Sequence, residues 1–87
     1  RVADPDVKHR VLAEAQFMNY HICYRRVKHT NELVVNGTVY DEIAGVMEYP
    51  HTLKAHLDGH YISASYTGTH SCIAVDGETL VKKVRWF

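Results

Sequence analysis

Three tight reversals constrain this chain more than any other feature. The stretch "VVNGTVY" at positions 34–40 sets Asn36-Gly37 between β-forming residues, and "LDGHY" and "VDGET" repeat the device at Asp58-Gly59 and Asp76-Gly77. Both central residues of the favoured two-residue hairpin turn take positive φ, which Asn, Asp and Gly tolerate best. The flanking residues then set the register. Around Asn36-Gly37, Val35 faces Thr38, Val34 faces Val39 and Leu33 faces Tyr40. Around Asp58-Gly59, Leu57 pairs with His60, Ala55 with Ile62 and Leu53 with Ala64, so the apolar faces of both strands coincide. A third hairpin at Asp76-Gly77 ends in a strand containing Leu80, Val81, Val84 and Trp86.

The segment "FMNYHICYRRVKH" is dense in aromatic and β-branched residues and alternates. Met18, Tyr20, Ile22 and Tyr24 point one way, and Asn19, His21, Cys23 and Arg25 the other, which predicts a strand reaching about Lys28 before a turn in "HTNE". The second strand of the first hairpin runs on through "YDEIAGVMEY", where Gly45 marks a bulge or close backbone approach and Pro50 an edge or a break. The first seventeen residues read as a helix. Asp4 suits an N-cap, Pro5 the first helical position and Asp6 the positive end of the helix dipole. Val7, Val11, Ala15 and Met18 then form an apolar stripe beside Leu12. The expected fold class is therefore α+β, mainly β. It is a single domain, 1–87, with an N-terminal helix over 1–17. An antiparallel meander or small open barrel of six or seven strands follows over 18–87, with short connections throughout. No internal repeat is strong enough to read as a solenoid, and there is no low-complexity segment.

A hydrophobic fraction of 46% supplies enough apolar mass to argue against disorder. Ten basic and ten acidic residues cancel, so the overall field draws the chain neither to nucleic acid nor to anionic membranes. No apolar run approaches the roughly 20 residues that span a bilayer, and no signal peptide is evident. The chain opens on Arg1 rather than Met, which reads as a processed or trimmed product and leaves the location open between cytoplasm and membrane surface. Cys23 and Cys72 form neither a disulfide framework nor a metal-binding Cys pair. They read as separate buried thiols, bridged only if their strands are neighbours.

Few residues point to chemistry. His51, His56, His60 and His70 gather around one hairpin. Strand alternation sends His56 to the face opposite His51 and His60, and those two lie at opposite ends, so a tetrahedral zinc site is not expected. Ser71 directly follows His70, and adjacent strand residues face opposite ways, so the two make no nucleophile–base pair. No nucleophile elbow, metalloprotease helix, phosphate loop or dinucleotide fingerprint is present. The expectation is a protein that is not an enzyme and needs no cofactor or metal.

The charge pattern says more. Arg25, Arg26 and Lys28 cluster at the end of one predicted strand and Lys82, Lys83 and Arg85 on the last, with Glu32, Asp41, Glu42, Glu48 and Asp58 between. Were the two strands close, Tyr20, Tyr24 and Trp86 would line one basic patch. Basic side chains among aromatic ones are how sheets bind single-stranded nucleic acid. The structural alternative is solvated edge cations that block aggregation, with the aromatics in the core. The stretches "NELVVNGTVYDE", "HTLKAHLDGHYISASY" and "VDGETLVKKVRWF" resemble small uncharacterised β-rich proteins of Gram-positive, Clostridia-like bacteria, over roughly 20–87. That resemblance carries no activity or site residue. It implies the soluble part of a membrane-anchored protein, attached through a segment outside this sequence. The function expected is a non-enzymatic protein-interaction or self-associating module, with a protein partner or a second copy bound through Tyr20, Tyr24, Arg25, Arg26, Lys28, Lys82, Lys83, Arg85 and Trp86. Two alternatives are single-stranded nucleic-acid or anionic-surface binding, and histidine-based metal binding.

Overall fold

The computed structural model describes residues 1–44 and 50–84. Eight strands follow one another: β1 (Arg10–Phe17), β2 (Tyr20–Val27), β3 (Thr30–Val35), β4 (Thr38–Ala44), β5 (His51–Leu57), β6 (His60–Tyr66), β7 (His70–Val75) and β8 (Glu78–Val84). They form two four-stranded antiparallel meanders, β1-β2-β3-β4 and β5-β6-β7-β8. The sheets stack: β1 lies against β7 and β8, and β5 against β3 and β4. One core cluster draws on both inner faces, from Ala13, Ile22, Tyr24, Leu33 and Val35 to Leu53, Ala55, Ile62, Ala64, Ile73 and Val75. Alternation at period two places these residues inward on every strand, and burying them supplies the main driving force.

All three glycine turns stand where they were expected. Asn36 and Gly37 have φ of 48° and 80°, Asp58 and Gly59 of 50° and 80°, Asp76 and Gly77 of 53° and 83°. The pairs Leu57–His60, Ala55–Ile62, Leu53–Ala64, Val35–Thr38 and Val34–Val39 form in the expected register. Leu33 instead pairs with Asp41, because a bulge at Tyr40 shifts the ladder by one residue.

The helix expected over 1–17 is not there, and the fold is all-β rather than α+β. Arg10–Phe17 is a strand paired along β2, which raises the count from six or seven strands to eight among the described residues. Asp4 does accept a backbone bond, from Asp6 N at 2.9 Å, but in an isolated turn. Asx turns and helix N-caps share that hydrogen bond, so the sequence signal serves both. Leu12, Ala15 and Phe17 pack on the core alongside buried Ala13. Helix propensity is a weak prior that tertiary burial overrides. The strand expected through Met18 is broken there: Met18 (φ 52°) opens a turn into β2, as Lys28 (φ 56°) opens one into β3. The expectation at Gly45 falls outside the described residues.

The two sheets are equivalent. Tyr20 and His60, Thr30 and His70, and Thr38 and Glu78 open matching strands, each pair 40 positions apart (20 to 60, 30 to 70, 38 to 78). Ala15 and Ala55, Ile22 and Ile62, Val35 and Val75, and Gly37 and Gly77 are identical pairs at that spacing. The turns are clasped alike. Asn36 N donates to His21 O while His21 N donates to Asn36 Oδ1, and Asp76 does the same with Tyr61. Ile22, Leu33 and Val35 of the first sheet and their counterparts Ile62, Ile73 and Val75 all face the shared core. The same face of each unit is therefore used, an isologous pairing that closes at two. A head-to-tail stack would bury opposite faces and leave an open array.

Candidate functional site

Residues 1–4 cross the outer face of the first sheet. Ala3 N donates to Gly37 O and Val39 N to Arg1 O, both at 2.8 Å, and Val2 bridges Thr38. This strap buries Ala3 against Cys23, Val34 and Val39, a second small apolar cluster. Beneath it Arg25 Nε donates to Glu32 Oε1 at 2.9 Å with both side chains 6% exposed, and Arg25 Nη1 reaches Asp4 O at 3.0 Å. Arg1 Nη2 pairs with Glu32 at 3.0 Å and also with Glu42. A hollow of about 510 Å³ lined by Arg1, Val7, Lys28, Glu32 and Glu42 borders the strap, and these contacts already neutralise its carboxylates.

A second depression, of about 390 Å³, lies where residues 7–10 meet the β2–β3 turn. Its lining is Val7, Lys8, His9, Arg10, Arg26 and Lys28. Four of these carry fixed positive charge and none is a carboxylate. Arg10 stands opposite Arg26 in the β1–β2 ladder, and both line the depression. Lys28 joins it from the β2–β3 turn, where its φ is 56°. Arg26 is oriented from behind, since its Nη1 donates to Asn31 Oδ1 at 3.1 Å. Asn31 is buried, donates from Nδ2 to the Tyr24 hydroxyl at 3.2 Å and lies 3.3 Å from His51 Nε2. Tyr24 Oη and His51 Nε2 are 2.6 Å apart. This network crosses between the sheets and caps one end of the core. Burial pushes the Tyr24 phenol up to about 12, against a smaller opposing effect of the Asn31 hydrogen bond.

The residues singled out in the sequence are dispersed. Tyr20 and Tyr24 are buried in the core, Tyr20 donating to Asp58 from its hydroxyl. Arg25 is buried under the strap, on the opposite face of β2 from Tyr24. Arg26 and Lys28 line the cationic depression, while Lys82 and Lys83 are exposed on β8 in the other sheet. Arg85 and Trp86 lie outside the described residues. Lys8, His9 and Arg10 were missed, because a helix over 1–17 distributes them around its circumference. Recognising "VKHR" as the run into a strand beside "YRRVKH" would have placed them next to Arg26.

The histidines do not converge. His51 belongs to the polar network, His60 Nδ1 lies 2.7 Å from Asp76 Oδ2, and His56 packs on Tyr61. Among the described residues no three His, Cys, Asp or Glu side chains are gathered as a metal site. Cys23 and Cys72 are free thiols on the outer faces of different sheets, Cys23 buried and Cys72 half-buried. Burial holds the Cys23 thiol above its ordinary range, with nearby Glu14 adding to the effect. No family model, curated protein or solved structure matches this chain.

Proposed function

We propose that this chain is a non-enzymatic interaction module that grips an acidic segment of a partner protein in the depression between Lys8, Arg10, Arg26 and Lys28. One observation carries the reading: in a chain with equal numbers of acidic and basic residues, these four cations line one hollow without a carboxylate among them. Like charges placed together cost free energy unless a counter-charge relieves them, and complementary potential is what steers and registers protein partners. The Asn31 bond that aims Arg26 suits a guanidinium recognising carboxylate oxygens. An acidic polypeptide is favoured over single-stranded nucleic acid because the latter binds by stacking on exposed aromatic rings. Tyr20 and Tyr24, the aromatic residues expected beside these cations, are buried.

The test is fluorescence anisotropy with a labelled poly-glutamate peptide and an oligothymidylate of matching charge, at low and physiological salt. The peptide should bind more tightly than the oligonucleotide and weaken with salt. Replacing Arg10→Glu and Lys28→Glu together should weaken it by about tenfold or more. Tighter binding of the oligonucleotide, or peptide binding indifferent to the double variant, would refute the reading. Sedimentation of the same samples distinguishes self-association, which would appear as a dimer that the double variant abolishes.

A further inference from the structure

We infer that the second sheet takes an extended acidic segment of another polypeptide by strand addition along the start of β8, at the site equivalent to the one the strap fills on the first sheet. This surface is separate from the cationic depression, which lies at the opposite end of the strands.

The first sheet shows how such a face is covered. The strap bonds Gly37 O in the β3–β4 turn and Val39 N on edge strand β4, sets Ala3 over Cys23, Val34 and Val39, and delivers Arg1 to Glu32 and Glu42. At the 40-residue spacing, Gly37 and Val39 correspond to Gly77 in the β7–β8 turn and Thr79 on edge strand β8. The turn geometry is the same at both places, with φ of 48° and 80° at Asn36-Gly37 and 53° and 83° at Asp76-Gly77. Among the described residues, no segment bridges Gly77 and Thr79 as Arg1 and Ala3 bridge their counterparts. The difference shows in burial. Val39 is 8% exposed under the strap, whereas Thr79 is exposed, and Ser63 and Ala74, which stand in for buried Cys23 and Val34, are only half-buried. A strand edge with its donor and acceptor open beside a face of small residues is the surface used in β-strand addition.

The charges specify the occupant. Glu32 and Glu42, which receive Arg1, correspond to Cys72 and Lys82. Lys82 is exposed on β8, with Glu78 at the position equivalent to Thr38, while Lys54 lies on the far edge strand, where its backbone N already donates to Asp41 Oδ2 at 2.9 Å. The segment that fits has a carboxylate where the strap has Arg1 and a small apolar residue two positions later, over Ser63 and Ala74. A second copy's own strap would set Arg1 against Lys82, which disfavours self-pairing.

The probe is the acetylated, amidated pentapeptide Glu-Val-Ala-Asp-Pro, which is positions 1–5 with Arg1→Glu, compared with Arg-Val-Ala-Asp-Pro. Each is titrated into the isotope-labelled whole chain and followed by amide chemical shifts. The glutamate peptide should move Gly77, Thr79, Lys82, Ser63 and Ala74, and bind about threefold or more tighter than the arginine peptide. Lys82→Glu should reverse that preference, and bound peptide should slow alkylation of Cys72. Lys28→Glu, in the other site, should leave the titration unchanged. Shifts confined to Lys8, Arg10 and Lys28, no shifts at all, or a preference that survives Lys82→Glu would overturn the proposal.

Discussion

Tyr24 joins the two sheets through a single hydroxyl. Its ring is fully buried, and its oxygen meets Asn31 and His51 from opposite sheets. Ionising it would place a charge at the end of a dry core, which burial resists. Since the folded phenol sits at about 12 and an unfolded one near 10, the neutral form favours the native state. That contribution is fully present below about pH 10 and is lost as pH rises toward 12. In ultraviolet titration Tyr24 should ionise late, and Tyr24→Phe should remove one tyrosine's worth of late absorbance, Tyr20 also being raised by its hydrogen bond to Asp58. A phenolate from Tyr24 that forms near pH 10 in the folded protein would refute the network. Gly37 makes a different kind of contribution. A Cβ there would meet nothing within 4 Å, so a substitution acts through the backbone alone, at φ of 80°. Gly37→Val should therefore cost roughly 1–2 kcal/mol in denaturant unfolding. An unchanged midpoint would mean the turn is not strained by a β-branched residue.

Elements differ in how openly their sequences announce them. The three glycine hairpins were legible because positive φ restricts residue choice so strongly that Asn-Gly and Asp-Gly carry the register by themselves. Met18 and Lys28 occupy the same region of φ without any such signature, and the turns they open were not visible. β1 was misread because Val7, Val11, Ala15 and Met18 satisfy a helical period while Leu12, Ala13, Ala15 and Phe17 supply what a strand beside β2 needs. Only the partner sheet decides between them, and a local window does not contain it. The cationic depression was half legible: Arg26 and Lys28 stood out, but Lys8, His9 and Arg10 depended on β1 being a strand. The 40-residue equivalence was hidden by low identity between the halves, since the shared requirement is for apolar residues inside rather than for particular ones. The strap, seen only in three dimensions, makes its own prediction. Cys23 is sealed beneath Ala3, whereas Cys72 lies half-open on the uncovered sheet. Iodoacetamide followed by mass spectrometry should modify Cys72 well before Cys23 in the native protein. Equal rates would show that the strap does not seal the first sheet.

At the scale of the whole molecule, each four-stranded unit has one apolar face that it cannot leave in water, and the chain covers it with the same face of its twin. A sheet with one apolar face must bury it against another element, and here the twin sheet supplies that cover. Among the described residues the pairing also fixes what remains outside: one outer face covered by the strap, one open, and a cluster of cations at one end. The open outer face is a consequence of that closure, because a head-to-tail stack would bury one outer face. Two ring contacts report on it from opposite ends, Phe17 on His60 with centroids 5.3 Å apart and Tyr24 on His51 at 6.1 Å. The most direct test is a nuclear Overhauser spectrum of the whole chain in solution. The account predicts cross-peaks between both ring pairs, together with cross-strand contacts from Ala13 to Tyr24 and from Ala15 to Ile22. Absence of both ring contacts, or sequential amide–amide contacts of a helix through Arg10–Phe17, would contradict it.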